Sequence, residues 1–125
     1  MWSNLILVGI GGFCGAVSRY LVSLGIDQIQ VVSFPYATLT VNAGGSFLLG
    51  LGATLLLMSP AEGSAVRLLL FVGYLGSFTT FSTFSYETFH LLIEKRHAAF
   101  LTNILANFSI CLLSVALGYF LARSI

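Results

Sequence analysis

The amino-acid sequence predicts an all-α integral membrane protein with four transmembrane helices. Of its 125 residues, 58% are hydrophobic and only 7% are charged, and the mean hydropathy is +1.00. A soluble domain has about a quarter of its residues charged. The five basic and four acidic residues separate apolar stretches that are long enough to cross a bilayer. A net charge of +1 and the lack of a basic run argue against a nucleic-acid partner.

Four apolar stretches and the short linkers between them account for most of the chain. The stretches run over about 5–24, 36–58, 66–93 and 98–122. The linkers, at about 25–35, 59–65 and 94–97, are too short for a soluble domain, so residues 1–125 are predicted to form a single integral membrane domain. Pro35 and Pro60 lie at span ends, where they interrupt no buried helix.

The basic residues give a weak orientation signal. Positively charged residues normally gather on the cytoplasmic side of a membrane protein. Here Arg67 and Arg123 lie on one side, Lys95 and Arg96 lie on the other, and Arg19 lies near that second face. Two interpretations remain open: a small bias that sets one orientation, or insertion in both orientations followed by pairing with an inverted copy. The second interpretation predicts an antiparallel dual-topology homodimer.

The third span contains a polar segment where a continuous apolar helix is expected. Between Gly73 and Glu87 the chain is rich in glycine, phenylalanine, serine and threonine. A bilayer tolerates broken or polar backbone only where it is buried in protein or lines a water-filled path. The third span, at about 66–93, is long enough to hold an interruption, and its length predicts a helix that is broken near residues 76–80. Carbonyl groups freed by such a break are suitable ligands for a small hard cation such as Na⁺.

Polar residues recur every fourth position in two other spans, so that each set shares a helix face. These residues are Thr38, Asn42 and Ser46 in the second span, and Asn103, Asn107 and Cys111 in the fourth. A buried amide needs a partner, because leaving one unpaired in hydrocarbon costs about 4 kcal/mol or more. The stripes are explained either by interhelical hydrogen bonds that hold a bundle together or by a donor-lined path for an ion.

The available side chains suit an anion better than a cation. No acidic residue lies at the middle of a span, and Glu87 is the nearest. Asn, Ser and Thr offer N–H and O–H donors without fixed negative charge, and Arg19 adds a positive field. Phe78, Phe81 and Phe84 recur at spacing three, and the positive edges of their rings can line an anion path.

Small residues at helical spacing predict close approach between helices. Gly11 and Gly15 form a GxxxG pattern in the first span, and Ser46 and Gly50 form a similar pattern in the second. Such pairs allow two helix backbones to come near one another within a membrane.

Two other functions compete with an anion path. A small dual-topology multidrug or cation transporter has the same size, but it needs a titratable carboxylate deep in a span. A membrane scaffold without transport would use its asparagines only to hold helices together. An enzyme is not expected, because no nucleophile–base pair or metal-ligand cluster can be assembled from the sequence.

Three motifs resemble those of the Fluc (CrcB) family of bacterial fluoride channels, and the likeness covers essentially the whole chain. The motifs are residues 11–20 (GGFCGAVSRY), residues 38–42 (TLTVN) with Ser46, Phe47 and Gly50, and residues 76–84 (GSFTTFSTF). The resemblance implies an antiparallel dual-topology homodimer with two pores in the bacterial inner membrane. It further implies passive export of fluoride, which lowers its toxicity in the cytoplasm.

The resemblance also implies roles for individual residues. It implies a structural, non-transported Na⁺ at the dimer centre, held by the main-chain carbonyls of Gly76 and Thr79. Phe81 and Phe84 would flank the fluoride path, with Asn42 in the pore. The anion pore as a whole would comprise Asn42, Phe81, Phe84, Asn103, Asn107, Ser46 and Thr38, with Arg19 as an electrostatic residue of the vestibule. The fourth span departs from the family pattern of a tyrosine followed by serines, because it has Asn103, Asn107 and Cys111.

Overall fold

The computed structural model describes residues 1–29, 34–58 and 63–125, and these residues form a helical protein. Its elements are α1 (Trp2–Ile29), α2 (Tyr36–Met58), α3 (Gly63–Val66), a π-helix (Arg67–Leu75), α4 (Gly76–Phe78), α5 (Phe81–Ile93) and α6 (His97–Ser124). Four helical segments are long and apolar enough to cross a membrane: Trp2–Ile29, Tyr36–Leu56, Arg67–Ile93 and His97–Ser124. The predicted all-α fold with four membrane-spanning helices is confirmed.

The first helix is longer than the sequence suggests. It continues past Leu24 to Ile29, so Gly25 does not start a linker. A single glycine costs a helix only about 1 kcal/mol, and the apolar Ile26 and Ile29 extend the span. The remainder of the predicted first linker, apart from Phe34 and Pro35, lies outside the described residues, as do Pro60 and most of the second linker.

The third span is built from several pieces. After the short α3 it widens into a π-helix that ends at Leu75, and α4 then adds only three residues. The chain becomes extended at Thr79 (φ −83°, ψ 157°) and Thr80 (φ −150°, ψ 117°) before α5 begins. The break therefore lies at the end of the predicted 76–80 segment. The π-helix was not predicted, because no sequence pattern distinguishes it from an α-helix.

Glycines allow the helices to meet backbone to backbone. A Cβ atom added at Gly11 or Gly15 of α1 would meet the carbonyl oxygens of Leu69 and Tyr74, respectively, in the π-helix. A Cβ at Gly73 of the π-helix would lie 2.7 Å from the Val8 carbonyl oxygen of α1. The GxxxG pattern thus serves packing within the chain, between the first and third spans.

The second and fourth spans approach one another in the same way. A Cβ at Gly118 of α6 would lie 2.7 Å from the backbone nitrogen of Leu51 in α2, and one at Gly50 would meet the carbonyl oxygen of Val115. The interior between the helices holds polar residues such as Thr80, Asn103 and Asn107, whereas most large apolar side chains are exposed. This distribution suits a molecule whose surroundings are apolar.

Candidate functional site

The side chain of Asn42 in α2 hydrogen-bonds the backbone at the break in the third span. Its side-chain oxygen Oδ1 accepts a hydrogen bond from the backbone N–H of Thr80 at 2.8 Å, and its Nδ2 donates to the Thr80 carbonyl at 3.2 Å. The amide thus satisfies both backbone groups of a residue that has left the helix, as a neighbouring strand would. The Thr80 hydroxyl caps the N-terminus of α5, because it accepts a hydrogen bond from the Thr83 N–H at 3.2 Å.

The amide of Asn42 also starts a chain of hydrogen bonds through the interior. Its Nδ2 donates to Oδ1 of Asn107 at 3.2 Å, and Nδ2 of Asn107 donates to Oδ1 of Asn103 at 3.0 Å. Asn103 in turn donates to the Thr88 hydroxyl at 2.8 Å, and Thr88 donates to the Phe84 carbonyl at 2.6 Å. We call Asn42, Asn107, Asn103 and Thr88 the amide relay. It joins α2, α6 and α5.

An open groove of about 480 Å³ runs beside the relay. Seven of the predicted site residues line this groove, and so does Cys111: the seven are Asn42, Ser46, Gly76, Thr79, Phe81, Phe84 and Asn107. Thr80 also lines the groove, and the rest of the wall is apolar and includes Leu49, Phe71 and Phe108. None of the described residues that line the groove is acidic or basic. The groove therefore joins a few neutral polar groups to an aromatic and aliphatic wall.

Two phenylalanines stand at the α5 side of this groove. The ring centroids of Phe81 and Phe84 are 5.6 Å apart and the rings are tilted by 47°. Phe81 is 78% exposed within the single chain, whereas Phe84 is half-buried. A large ring so exposed beside a polar break is available to a small species in the groove or to a second protein surface.

Arg19 and Thr38 lie in a different cavity. This cavity of about 260 Å³, here called the Arg19 cavity, is also lined by Tyr20, Ser23, Val41, Ala16, Thr80 and Thr83. Thr80 lines both the groove and the Arg19 cavity. The predicted pore residues are therefore divided between two cavities, and both cavities are lined by Thr80, the residue that Asn42 hydrogen-bonds.

Asn103 lines neither the groove nor the Arg19 cavity, although it belongs to the same predicted stripe as Asn107. Asn103 is 0% exposed, and its side-chain amide hydrogen-bonds both Asn107 and Thr88. Thr80 and Thr88 were not among the predicted site residues, although Thr80 binds Asn42 at one end of the relay and Thr88 binds Asn103 at the other. Thr80 was visible within the hydroxyl-rich segment, but the pairing of Thr88 with Asn103 requires the packing of α5 on α6.

Glu87 lies in a third cavity, of about 420 Å³, with His90, Glu94 and Arg96. The Thr38 side chain lies near the Glu87 carboxyl, and the carboxylate oxygen Oε2 is buried without a hydrogen-bond partner among the described residues. Glu94 lies 3.3 Å from His90 Nδ1 and 3.5 Å from Arg96. Glu87 is thus beside Thr38, and no ion pair joins it to Arg19 in the described part of the chain.

The break leaves two main-chain carbonyls without their usual helical donors. In an α-helix the Thr80 N–H would donate to the Gly76 carbonyl, and the Thr83 N–H to the Thr79 carbonyl. Here these N–H groups donate to Asn42 Oδ1 and Thr80 Oγ1. The two carbonyls are the predicted Na⁺ ligands. In the part of the chain that the structure describes, no cluster of three His, Cys, Asp or Glu residues could hold a metal ion.

Comparison with known proteins identifies the family. The model of the family described as "CrcB-like protein, Camphor Resistance (CrcB)" matches residues 6–119. The chain belongs to this CrcB family. It is 43% identical to a protein of Ruminiclostridium cellulolyticum named fluoride-specific ion channel FluC, over 98% of this chain and 94% of the relative.

Other CrcB relatives extend over nearly the whole chain as well. The fluoride-specific ion channel FluC of Shewanella baltica is 46% identical over 93% of both chains. That of Geobacter sulfurreducens is 38% identical over 98% of this chain and 99% of the relative. With four helices able to span a bilayer, this CrcB member is a multi-pass membrane protein.

Proposed function

We propose that this CrcB protein is a fluoride-selective channel that lets fluoride leave the cell passively and so lowers its toxicity in the cytoplasm. The observation that carries the proposal is the composition of the groove. It combines neutral amide and hydroxyl groups with phenylalanine rings and has no acidic residue among the described residues that line it. The curated relatives at 38–46% identity are named as fluoride-specific channels.

The groove supplies the chemistry that a small halide needs. Fluoride is strongly hydrated, so passage requires donors that replace water without holding the ion too tightly. Hydrogen bonds to a charged partner contribute about 1.5–3 kcal/mol each. Asn42 and Ser46 provide hydrogen-bond donors in the groove beside Asn107, and the ring edges of Phe81 and Phe84 provide further weak positive potential. Several such contacts in sequence can exchange an ion from one to the next.

The Arg19 cavity serves as the vestibule in this proposal. Arg19 forms no ion pair within the described residues, and hydroxyl groups such as Thr38 and Ser23 surround its cavity. A positive charge at the end of a narrow path raises the local concentration of anions. Because Thr80 lines both the groove and the Arg19 cavity, an anion concentrated near Arg19 lies next to Thr80, the residue that Asn42 hydrogen-bonds.

A second, antiparallel copy of this chain completes the channel in this proposal. The groove is open along one side, and Phe81 is largely exposed in the single chain. The weak charge bias supports insertion in both orientations. A partner in the inverted orientation would cover the groove and bring a second broken helix to the dimer centre.

The break also fits a structural Na⁺. The carbonyls of Gly76 and Thr79 have lost their helical donors, and hard cations prefer oxygen ligands. These two carbonyls, with those of the partner copy, would hold the ion, which supplies positive charge beside the path. The residues present therefore fit the group that the family resemblance implies.

Ion flux from purified protein in liposomes tests the proposal. A fluoride electrode should record rapid fluoride release, and a chloride electrode should record little. Phe81→Ile and Phe84→Ile should each lower fluoride release while the protein elutes as a dimer, and replacing Na⁺ on both sides should lower it further. Phe89→Ile is the matched control, because Phe89 is exposed on α5 and does not line the groove.

The outcomes separate the competing functions. Equal release of fluoride and chloride would refute selectivity, and full fluoride release by both Phe81→Ile and Phe84→Ile would remove the rings from the path. No release at all would favour a scaffold. A cation-coupled multidrug transporter is not favoured, because the groove offers no carboxylate for proton exchange among its described residues.

A further inference from the structure

The amide relay has a single direction, and backbone groups at both ends set it. A backbone N–H can only donate, so the atom of Asn42 that faces the Thr80 N–H must be Oδ1. Nδ2 of Asn42 then points to Asn107 and must meet an acceptor, which is Oδ1 of Asn107. The orientation of the first amide thus determines the orientation of the second.

The other end imposes the same direction independently. Nδ2 of Asn107 lies 3.2 Å from the backbone carbonyl of Asn103, which can only accept. Oδ1 of Asn103 accepts the same Nδ2 group at 3.0 Å, so Nδ2 of Asn103 faces Thr88. The Thr88 hydroxyl gives its own proton to the Phe84 carbonyl and accepts from Asn103. Every hydrogen bond between two members of the relay is therefore donated in the direction from Asn42 to Thr88.

This direction gives the two groove asparagines different roles. The Nδ2 group of Asn107 is committed to Asn103, away from Asn42, so Asn107 presents Oδ1 to its neighbour. The donors at the junction with Thr80 belong to Asn42. Both bonds that Asn42 donates are long, at 3.2 Å. A charged acceptor makes shorter and stronger bonds than a neutral carbonyl, so an anion can take over these donors.

We propose that Thr88 and Asn103 are positioning residues for anion passage: they hold Asn107 with its oxygen towards Asn42, which keeps the Asn42 N–H groups aimed at the ion path. This inference rests on the proposed fluoride conduction and deepens it. Asn103 is fully buried and Thr88 is buried, so neither residue reaches the ion. They act through Asn107, and Thr88 supplies the acceptor that ends the chain.

Substitutions at Thr88 separate hydrogen bonding from packing. Thr88→Val keeps the shape of the side chain and removes the hydroxyl, which leaves the buried Nδ2 of Asn103 without its acceptor. Thr88→Ser keeps the hydroxyl and removes the methyl group. We expect Thr88→Val to lower fluoride flux about tenfold, the change that corresponds to the loss of one hydrogen bond of ordinary strength. We expect Thr88→Ser to stay within about twofold of the unmodified protein.

The opposite order would overturn the inference. Normal flux in Thr88→Val with reduced flux in Thr88→Ser would assign Thr88 to packing alone, and equal effects in both variants would also refute a role for the hydroxyl. If Thr88→Val does not yield folded dimer, Thr88→Ala replaces it. Alanine and serine both lack the methyl group, so a tenfold difference between them still reports on the hydroxyl.

A second readout does not depend on ion flux. The side-chain amide resonances of Asn42 and Asn107, observed by ¹⁵N NMR of the protein in micelles, should shift in Thr88→Val and return to their original positions in Thr88→Ser. Unchanged resonances in Thr88→Val would overturn the relay. If the unmodified protein carries no fluoride, the proposed function fails, while this comparison still decides whether Thr88 orients the two amides.

Discussion

Replacing Asn42 by alanine should both destabilise the fold and lower fluoride flux. The side chain makes three hydrogen bonds: it accepts one from the Thr80 N–H and donates one each to the Thr80 carbonyl and to Asn107. A hydrogen bond contributes about 1 kcal/mol net to stability. The loss of all three should therefore cost about 3 kcal/mol. Thr80 is only 8% exposed, so water cannot easily replace Asn42.

Two measurements on the same samples test this expectation. Thermal unfolding in detergent should show a lower midpoint for Asn42→Ala, and liposome flux should show slow fluoride release. Asn42→Asp keeps an acceptor for the Thr80 N–H but loses both donated bonds. Its second carboxylate oxygen would face the Thr80 carbonyl oxygen and Oδ1 of Asn107. The Asn42→Asp variant should therefore release fluoride slowly, even if its unfolding midpoint is higher than that of Asn42→Ala. Thr40→Ala is the control, because Thr40 lies on the same helix and is exposed.

The two measurements can fail separately, and each failure refutes a different step. An unchanged unfolding midpoint with reduced flux would show that Asn42 contacts the ion but does not stabilise the break. A lower midpoint with full flux from the folded fraction would remove Asn42 from the path. If neither property changes, the hydrogen bonds to Thr80 carry no weight in the fold or in conduction.

Three further substitutions test the packing, the turn and the vestibule. Gly118→Ala should destabilise the protein by about 1–3 kcal/mol, because its Cβ would meet the α2 backbone; Gly25→Ala, with open space around it, should not lower the unfolding midpoint. Lys95→Gly should raise that midpoint by an amount equivalent to about 1 kcal/mol, since Lys95 has a φ of 58°, and a lower midpoint would contradict this. Arg19→Gln should reduce fluoride flux by up to about tenfold at low ionic strength and less at high salt. An equal loss in Arg67→Gln would show that the effect is not local to the vestibule.

The turn that contains Lys95 ends α5 with a backbone geometry that the sequence does not predict. The Lys95 N–H donates to the Leu92 carbonyl and the Arg96 N–H to the Leu91 carbonyl, both at 3.0 Å. This is the pattern in which a helix normally ends on glycine. Lysine at this position gives no sequence signal for such an end, although the charges of residues 94–96 did predict the linker.

Hydropathy and residue type predicted the large features of the fold. The apolar stretches predicted four spans, and the length of the third span predicted the break. The end of α1 at Ile29 and the π-helix depend on interactions that hydropathy does not describe. The π-helix packs against α1 through Gly11 and Gly73, and that contact is visible only in the folded chain.

The division of the candidate site has a geometric cause in the helix itself. An α-helix turns by about 100° per residue, so residues eight apart on one stripe point about 80° away from each other. Thr38 and Ser46 therefore face different spaces, the Arg19 cavity and the groove. Asn103 and Cys111 diverge in the same way: Asn103 faces α5, and Cys111 lines the groove. Spacing of four identified the stripes but could not separate their two ends.

This rotation gives the middle residue of each stripe two partners. Asn42 lies between Thr38 and Ser46, so it borders the groove while it bonds Thr80, which both cavities share. Asn107 lies between Asn103 and Cys111, so it borders the groove while it bonds the buried end of the relay. Substitutions at the middle positions must therefore change stability and conduction together. Substitutions at the ends can change one without the other, and Asn103, which does not line the groove, can therefore be tested apart from it.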